Sequence, residues 1–272
     1  MKTLRGKTAV ITGAGSGIGA ATAIACAQEG MKVVLADVQE ANLLSVEERI
    51  SNIGVECLSV VTDVSDSKQL EKLAETTFTV FKSADLLFNN AGVLHVASLL
   101  EHSEKDWQWV LGVNLFGVIN GVRIFAPLMR EQKTESHIVN TASIGGFTSG
   151  PGLAAYKISK HALVAYSEIL EAELAETSIG VSVLCPGWTN TGIMHSENAR
   201  PEKFRDHLIE TRNIEEASKN IHRGMESAAK GENSEFIAKC VIDAVLHNKF
   251  YIIPDTSFHD KFKDRVSRIL GA

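Results

Sequence analysis

Cysteine is scarce in this chain and widely scattered. The 272 residues hold four, Cys26, Cys57, Cys185 and Cys240, with no CxxC pair and no zinc-ligand spacing. That excludes a disulfide scaffold or a structural zinc module and reads as the reduced core thiols of a cytoplasmic protein. Long apolar runs are also missing: none approaches the roughly 18 residues that a bilayer span requires. The opening Met1 to Lys7 leads straight into a strand pattern, without a signal-peptide core or cleavage site. Positive charge is in deficit, 27 basic against 33 acidic residues for a net −6, which argues against a dedicated nucleic-acid binder. The nine histidines form no HExxH or other ligand cluster, so no metal is expected, and His95, His102 and His195 are read as surface or pocket residues. No Pro/Ser-rich linker divides the composition. With 44% apolar and 22% charged residues, the chain has the profile of a soluble globular protein with a sizeable core.

What is present is a rhythm. Short apolar runs predict strands over 8–12, 32–37, 55–64, 84–88, 137–141 and 181–185, with a further candidate at 250–254. Helical patterns alternate with them over 20–29, 40–51, 66–81, 104–129 and 153–176, and Gly30 stands where a helix-ending glycine belongs. The strands are continuously apolar, as required when helices cover both sheet faces. Repeated βα units predict an α/β fold with a doubly wound parallel sheet, in one domain spanning 1–272. The polar stretch 192–234 departs from the rhythm and is expected to form a helical lid over the carboxyl end of the sheet.

Between the first strand and first helix runs Thr12-Gly13-Ala14-Gly15-Ser16-Gly17-Ile18-Gly19. Glycines at a strand-to-helix turn let backbone N–H groups and a helix N-terminus hold a pyrophosphate. The spacing is Gly-x3-Gly-x-Gly; the commoner Gly-x-Gly-x-x-Gly is met only by Gly15, Gly17 and Ala20, with alanine last. Asp37 ends the second strand, 18 residues past Gly19. A carboxylate there accepts hydrogen bonds from ribose hydroxyls and repels a 2′-phosphate, and no cation follows it, so NAD is favoured over NADP. Farther along, Tyr156 and Lys160 lie four residues apart on one helix face, and Ser143 ends the fifth strand. An ammonium and a positive nicotinamide ring favour phenolate, bringing tyrosine toward use as a general base.

Taken with Asp63-Val64, Asn89-Asn90-Ala91-Gly92, Asn114, Pro186-Gly187 and Thr191, these motifs make the chain resemble the short-chain dehydrogenase/reductase family, of the single-domain Rossmann-fold kind, from about Leu4 to Pro254. The resemblance implies that Tyr156 is the general acid/base, that Lys160 lowers its pKa and bonds the nicotinamide ribose, and that Ser143 orients the substrate oxygen. Asn114 would hold a water linking Lys160 to solvent, although a buried asparagine can equally satisfy local backbone groups. Gly13, Ser16, Gly17, Ile18 and Gly19 would carry the phosphates and Asp37 the adenine ribose. Asp63 and Val64 would border the adenine, Asn90, Ala91 and Gly92 would support the cofactor's centre, and Pro186, Gly187, Thr189 and Thr191 would hold the nicotinamide side. The implied reaction interconverts a secondary alcohol and a ketone with NAD.

Rival readings are an enoyl reductase or an epimerase on the same fold, and a catalytically silent NAD-binding sensor. The close Tyr156–Lys160 spacing opposes the first, the chain length the second, and the retained Ser143, Tyr156, Lys160 and Asn114 the third. Trp188, Ile193, Met194 and Phe204 in the expected lid point to a fairly apolar substrate, and His95 is a candidate substrate contact. The family resemblance also implies a homotetramer or homodimer, with Leu163, Tyr166, Ile169, Leu170 and Leu174 supplying core and interface stripes. The tail from Phe258 to Leu270 is basic and amphipathic, fit to pack on its own domain, on a second subunit or on a membrane surface.

Overall fold

The computed structural model describes residues 1–205 and 214–271. Strands β1 (Thr8–Thr12), β2 (Lys32–Asp37), β3 (Cys57–Val61), β4 (Leu86–Asn89), β5 (Ser136–Thr141), β6 (Ile179–Leu184) and β7 (Tyr251–Ile252) form one sheet in the order β3-β2-β1-β4-β5-β6-β7. Every neighbouring pair is parallel. Winding reverses between β1 and β4, so a crevice opens beyond their carboxyl ends. The intervening helices are α1 (Gly17–Gln28), α2 (Glu40–Ser51), α3 (Ser67–Phe81), α4 (Glu104–Leu111), α5 (Gly117–Glu131), α6 (Ala154–Leu174), α7 (Ile214–Ala229), α8 (Ser234–His247) and α9 (His259–Leu270).

Burial explains the unbroken apolar strands. On β1, Ala9 and Ile11 join a core with Ala23 of α1 and Ile237 and Val241 of α8, whereas Val10 joins the opposite core with Leu70, Phe125 and Leu163. The expected strand over 55–64 is shorter because it lies at the sheet edge and the Asp63 carboxylate accepts the Ser65 N–H, turning the chain away. Gly30 ends α1 as expected: at φ +80° its N–H meets the Ala27 carbonyl, while the Met31 N–H reaches Cys26. All four cysteines are free, and burial pushes the Cys26, Cys57 and Cys185 thiols up to about 12, as befits inert core residues.

The helix expected over 104–129 is interrupted. A π-helical turn, Gly112–Phe116, separates α4 from α5 and inserts at Asn114, whose amide is turned inward to backbone partners. The combined stretch Glu104–Glu131 is long and apolar enough by composition to cross a bilayer; here its apolar side chains Trp109, Val110, Val122, Phe125 and Met129 are buried in the protein core. On α6, Leu163 and Leu170 face inward while Ile158 and Ile169 are 48% and 59% exposed. The tail folds onto its own chain: Phe147 sits between Phe258 and Phe262 of α9, with ring centroids 5.5 and 5.4 Å away.

The stretch 192–234 contains a 3-10 helix, Gly192–Ala199, a short turn Glu202–Phe204, and α7; Leu208 and Ile209 lie outside the described residues. A buried charge cluster ties its first part down. Arg200 places Nη2 2.6 Å from Asp106 Oδ1 and 2.7 Å from the Phe204 carbonyl, and Nη1 3.4 Å from Glu197, with its guanidinium 4.9 Å from the Trp109 ring centroid. His95 bridges the same carboxylates, 2.5 Å from Glu197 and 3.5 Å from Asp106. His95 does not line the cavity; two acids engage its ring. Asp106 also accepts the Ser103 N–H through Oδ2, so one side chain caps α4 and holds the cluster. Burial pushes the Glu197 carboxyl up, but hydrogen bonding to His95 and the His95 and Arg200 charges outweigh this and keep it below the usual carboxylate range.

Removing one partner of a buried pair strands the other charge. Arg200→Ala is expected to lower stability by about 3 kcal/mol, measured by thermal denaturation, and Arg200→Lys should not restore it, because one ammonium cannot span the fork of acceptors. Since the Glu197 carboxyl is held low, its share of the stability is present above the ordinary carboxylate range and lost as pH falls below that range through the lowered native pKa. An unchanged melting temperature in Arg200→Ala would remove the cluster from this role.

Candidate active site

A cavity of ≈ 490 Å³ occupies the crevice, bordered by the carboxyl ends of β1, β2, β4, β5 and β6. Its floor is the glycine-rich turn, held against β4. Thr12 Oγ1 accepts the N–H groups of Asn90 and Ala91 at 3.0 and 3.1 Å, and Asn90 Nδ2 returns a 3.1 Å bond to the Thr12 carbonyl. Gly17 stands at φ +51°, and a Cβ there would lie 2.9 Å from Thr191 Cγ2. A Cβ on Gly19 would lie 2.0 Å from the Gly13 carbonyl oxygen, so α1 can start this close only without a side chain. Ser16, the residue before α1, makes no side-chain cap, leaving the helix's first N–H groups directed into the cavity. This is a cradle for an anionic diphosphate.

Asp37 is fixed by its neighbours. Its Oδ2 accepts the Gly15 N–H and its Oδ1 the Gln39 N–H, both at 3.0 Å. Around it the wall is built from Val38, Gln39, Asp63, Val64 and Ser65, with no cation at this end among the described residues. Asp63 takes two hydrogen bonds from Ser65, and Val64 packs over Gly117. The donor set fits a dinucleotide with free ribose hydroxyls: N–H groups at the diphosphate and a carboxylate at the sugar.

At the other end Ser143, Tyr156 and Lys160 meet. Ser143 Oγ accepts the Gly145 N–H at 3.0 Å and donates to the Pro186 carbonyl at 3.4 Å. Lys160 is 3% exposed, its Nζ 2.7 Å from the Thr141 carbonyl and 5.5 Å from the Tyr156 ring centroid. Burial pushes the Tyr156 hydroxyl above its ordinary pKa, with a hydrogen bond to Ser143 pulling the other way. Burial likewise pushes Lys160 down to about 8. Loss of water thus dominates both groups, and the Lys160 ammonium donates to a backbone carbonyl.

Most of the other residues singled out in the sequence line this cavity: Gly13, Ile18, Gly92, Gly187, Thr189 and Thr191 among them. Gly19 and Asn114 do not line it. The Asn114 amide donates to the Val93 carbonyl at 2.9 Å and to Ser159 Oγ at 3.2 Å, while its oxygen accepts the Val93 N–H at 2.8 Å. These are the backbone partners that a buried asparagine can satisfy. Of the four apolar residues expected in the lid, Trp188 and Ile193 face the cavity, while Met194 packs against Gly224 and Phe204 packs with the Trp109 cluster. His195 also faces it. Sequence reasoning missed Trp109, Leu94, Leu153, Lys157 and, from the far end of the chain, Lys261. Lys157 follows Tyr156 directly; no sequence pattern points from Lys261 to the crevice.

Comparison with known proteins agrees with this geometry. The family model described as short chain dehydrogenase matches residues 7–202. A "CLA biosynthesis dehydrogenase/reductase" of Lactiplantibacillus plantarum is 32% identical over 99% of this chain and 95% of its own. A "Diacetyl reductase [(S)-acetoin forming]" of Staphylococcus epidermidis is 34% identical over 74% of this chain and 79% of its own. The crystal structure of a short chain dehydrogenase/reductase from Burkholderia phymatum in complex with NAD is 40% identical, superposes with a TM-score of 0.95, and the match covers 99% of this chain and 96% of that one. The chain belongs to the short-chain dehydrogenase/reductase family of oxidoreductases.

Proposed function

We propose that the protein interconverts a secondary alcohol and a ketone with NAD, acting on a fairly apolar substrate. The observation that carries this is the convergence of Ser143, Tyr156 and Lys160 on one wall of a cavity whose opposite end offers the Asp37 carboxylate. When bound, NAD supplies or accepts the hydride at the substrate carbon. Tyr156 moves the matching proton through its hydroxyl, and Ser143 directs a hydrogen bond to the same substrate oxygen, stabilising charge as it develops there. Lys160 would hold the nicotinamide ribose by a hydrogen bond and bring positive charge to the site. Asn114 acts on this site through Val93 and Ser159, as a positioning residue. Ile193, His195 and Ala199 of the segment after β6 border the crevice as part of a lid, and Trp109, Leu153, Trp188 and Ile193 give it apolar walls.

The relative in complex with NAD and the isolated carboxylate of Asp37 support NAD over NADP. The reductase names of the relatives favour turnover, and no observation favours a silent sensor. The exposed Ile158 and Ile169 of α6 and Phe116 suit contact with a second copy of the chain, in a homodimer or homotetramer.

Tyr156→Phe is expected to lower kcat/KM by about 10²- to 10⁴-fold while NADH still binds, read from absorbance of the reduced cofactor and from its fluorescence titration. Turnover that survives the substitution would overturn the assignment. Because burial holds the Tyr156 hydroxyl above its ordinary pKa, alcohol oxidation should accelerate with rising pH as the phenolate fraction grows, and ketone reduction should slow. Asp37→Ser should reduce the preference for NAD over NADP by at least about tenfold in kcat/KM; an unaltered ratio would remove Asp37 from cofactor choice.

A further inference from the structure

Two cavities adjoin each other and share Thr148 and Lys261. The outer one, ≈ 540 Å³, lies between the loop after Phe147 and α9, and its wall carries Arg265 and Arg268. The inner one carries Lys157 where the two meet. Among the described residues, none of Lys157, Lys261, Arg265 and Arg268 has a carboxylate within ion-pairing distance, and Asp264 is the one acidic side chain on the outer wall. Lys157 donates at 3.3 Å to the Gly150 carbonyl, and Arg265 at 3.5 Å to that of Phe147. Burial pushes the Lys157 pKa down, and the Lys261 charge adds to this. Four weakly compensated cations thus gather at one mouth of a chain whose net charge is −6. Like charges held together are relieved by an arriving anion.

The element that brings Lys261 here is seated by aromatic contacts. Phe258 is 5% exposed, and Phe258 and Phe262 grip Phe147, which follows directly on the turn formed by Ile144–Gly146 after Ser143. Between these cations and Tyr156 the inner wall is apolar, with Leu153 and Trp188 facing inward.

We propose that the substrate is an amphiphile with an anionic head, a carboxylate or a phosphate, which Lys261 and Lys157 hold at the cavity mouth while its apolar body reaches toward Tyr156. This deepens the alcohol/ketone reading and rests on it for the site, although the binding itself needs no turnover. Arg265 and Arg268 extend the positive surface outward and draw the head toward the mouth. A neutral polyol has no partner there.

The test is calorimetric titration of the whole chain, with and without NADH, against decanoate, decyl phosphate and decanol below their aggregation concentrations. At low salt at least one of the two anions should bind about tenfold more tightly than decanol, and whichever binds better identifies the head. Lys261→Glu should erase that advantage and Lys261→Arg should retain it, with thermal denaturation confirming that both variants fold. Equal affinity for anion and alcohol, an advantage untouched by Lys261→Glu, or no binding of any of the three would overturn the proposal. Failure of the redox reading looks different: Tyr156→Phe would retain turnover while selective binding of the anion persisted.

Discussion

Three hydrogen bonds from one buried amide hold the reacting half of this molecule together. Asn114 meets both backbone groups of Val93 and also the hydroxyl of Ser159, so the loop leaving β4, the π-helical turn and α6 share one anchor. Ser159 in turn donates to the Tyr156 carbonyl at 2.6 Å. The position of the tyrosine ring is thereby linked to the strand end beside the glycine-rich turn. In a dry interior each of these groups would be costly to leave unpaired, which makes the arrangement all-or-none. The extra residue of the π turn is the local expense of aiming that amide inward.

Burial does a second kind of work around this anchor. Tyr156 is pushed toward its neutral form, and Lys160 is brought down to about 8. Burial thus drives the two groups in opposite directions, each toward its neutral form, so that an additional charge nearby acts strongly on both. Ser143 is fixed from both sides, accepting from Gly145 and donating to Pro186. Its one proton points at Pro186, so donating to a substrate oxygen asks that hydroxyl to rotate about an oxygen that the Gly145 N–H holds in place.

Much of this was legible in the sequence. The strands 8–12 and 32–37 fall where apolar runs bounded by glycine and aspartate place them, and the glycine-rich turn, Asp37, Ser143, Tyr156 and Lys160 all line one cavity. These are local signals, fixed by spacing within one or two elements. The readings that changed depend on distant partners. Asn114 interrupts a helix because Val93, 21 residues earlier, supplies both its backbone partners. His95 is engaged by Glu197, 102 residues later. Met194 and Phe204 look like lid residues by composition, but the pairing of Arg200 with Asp106 decides which side of that segment faces inward.

The two covers of the crevice are held by opposite physics, and this shapes how each can move. The segment after β6 is tied by Arg200, Asp106, Glu197 and His95, a short-range ionic cluster that loses most of its strength once water enters. Helix α9 is tied by Phe147, Phe258 and Phe262, an aromatic cluster whose attraction varies gradually with area and tolerates small displacements. The ionic ties are therefore the more sensitive to water and salt, while the contact that seats Lys261 where the two cavities meet depends instead on apolar area.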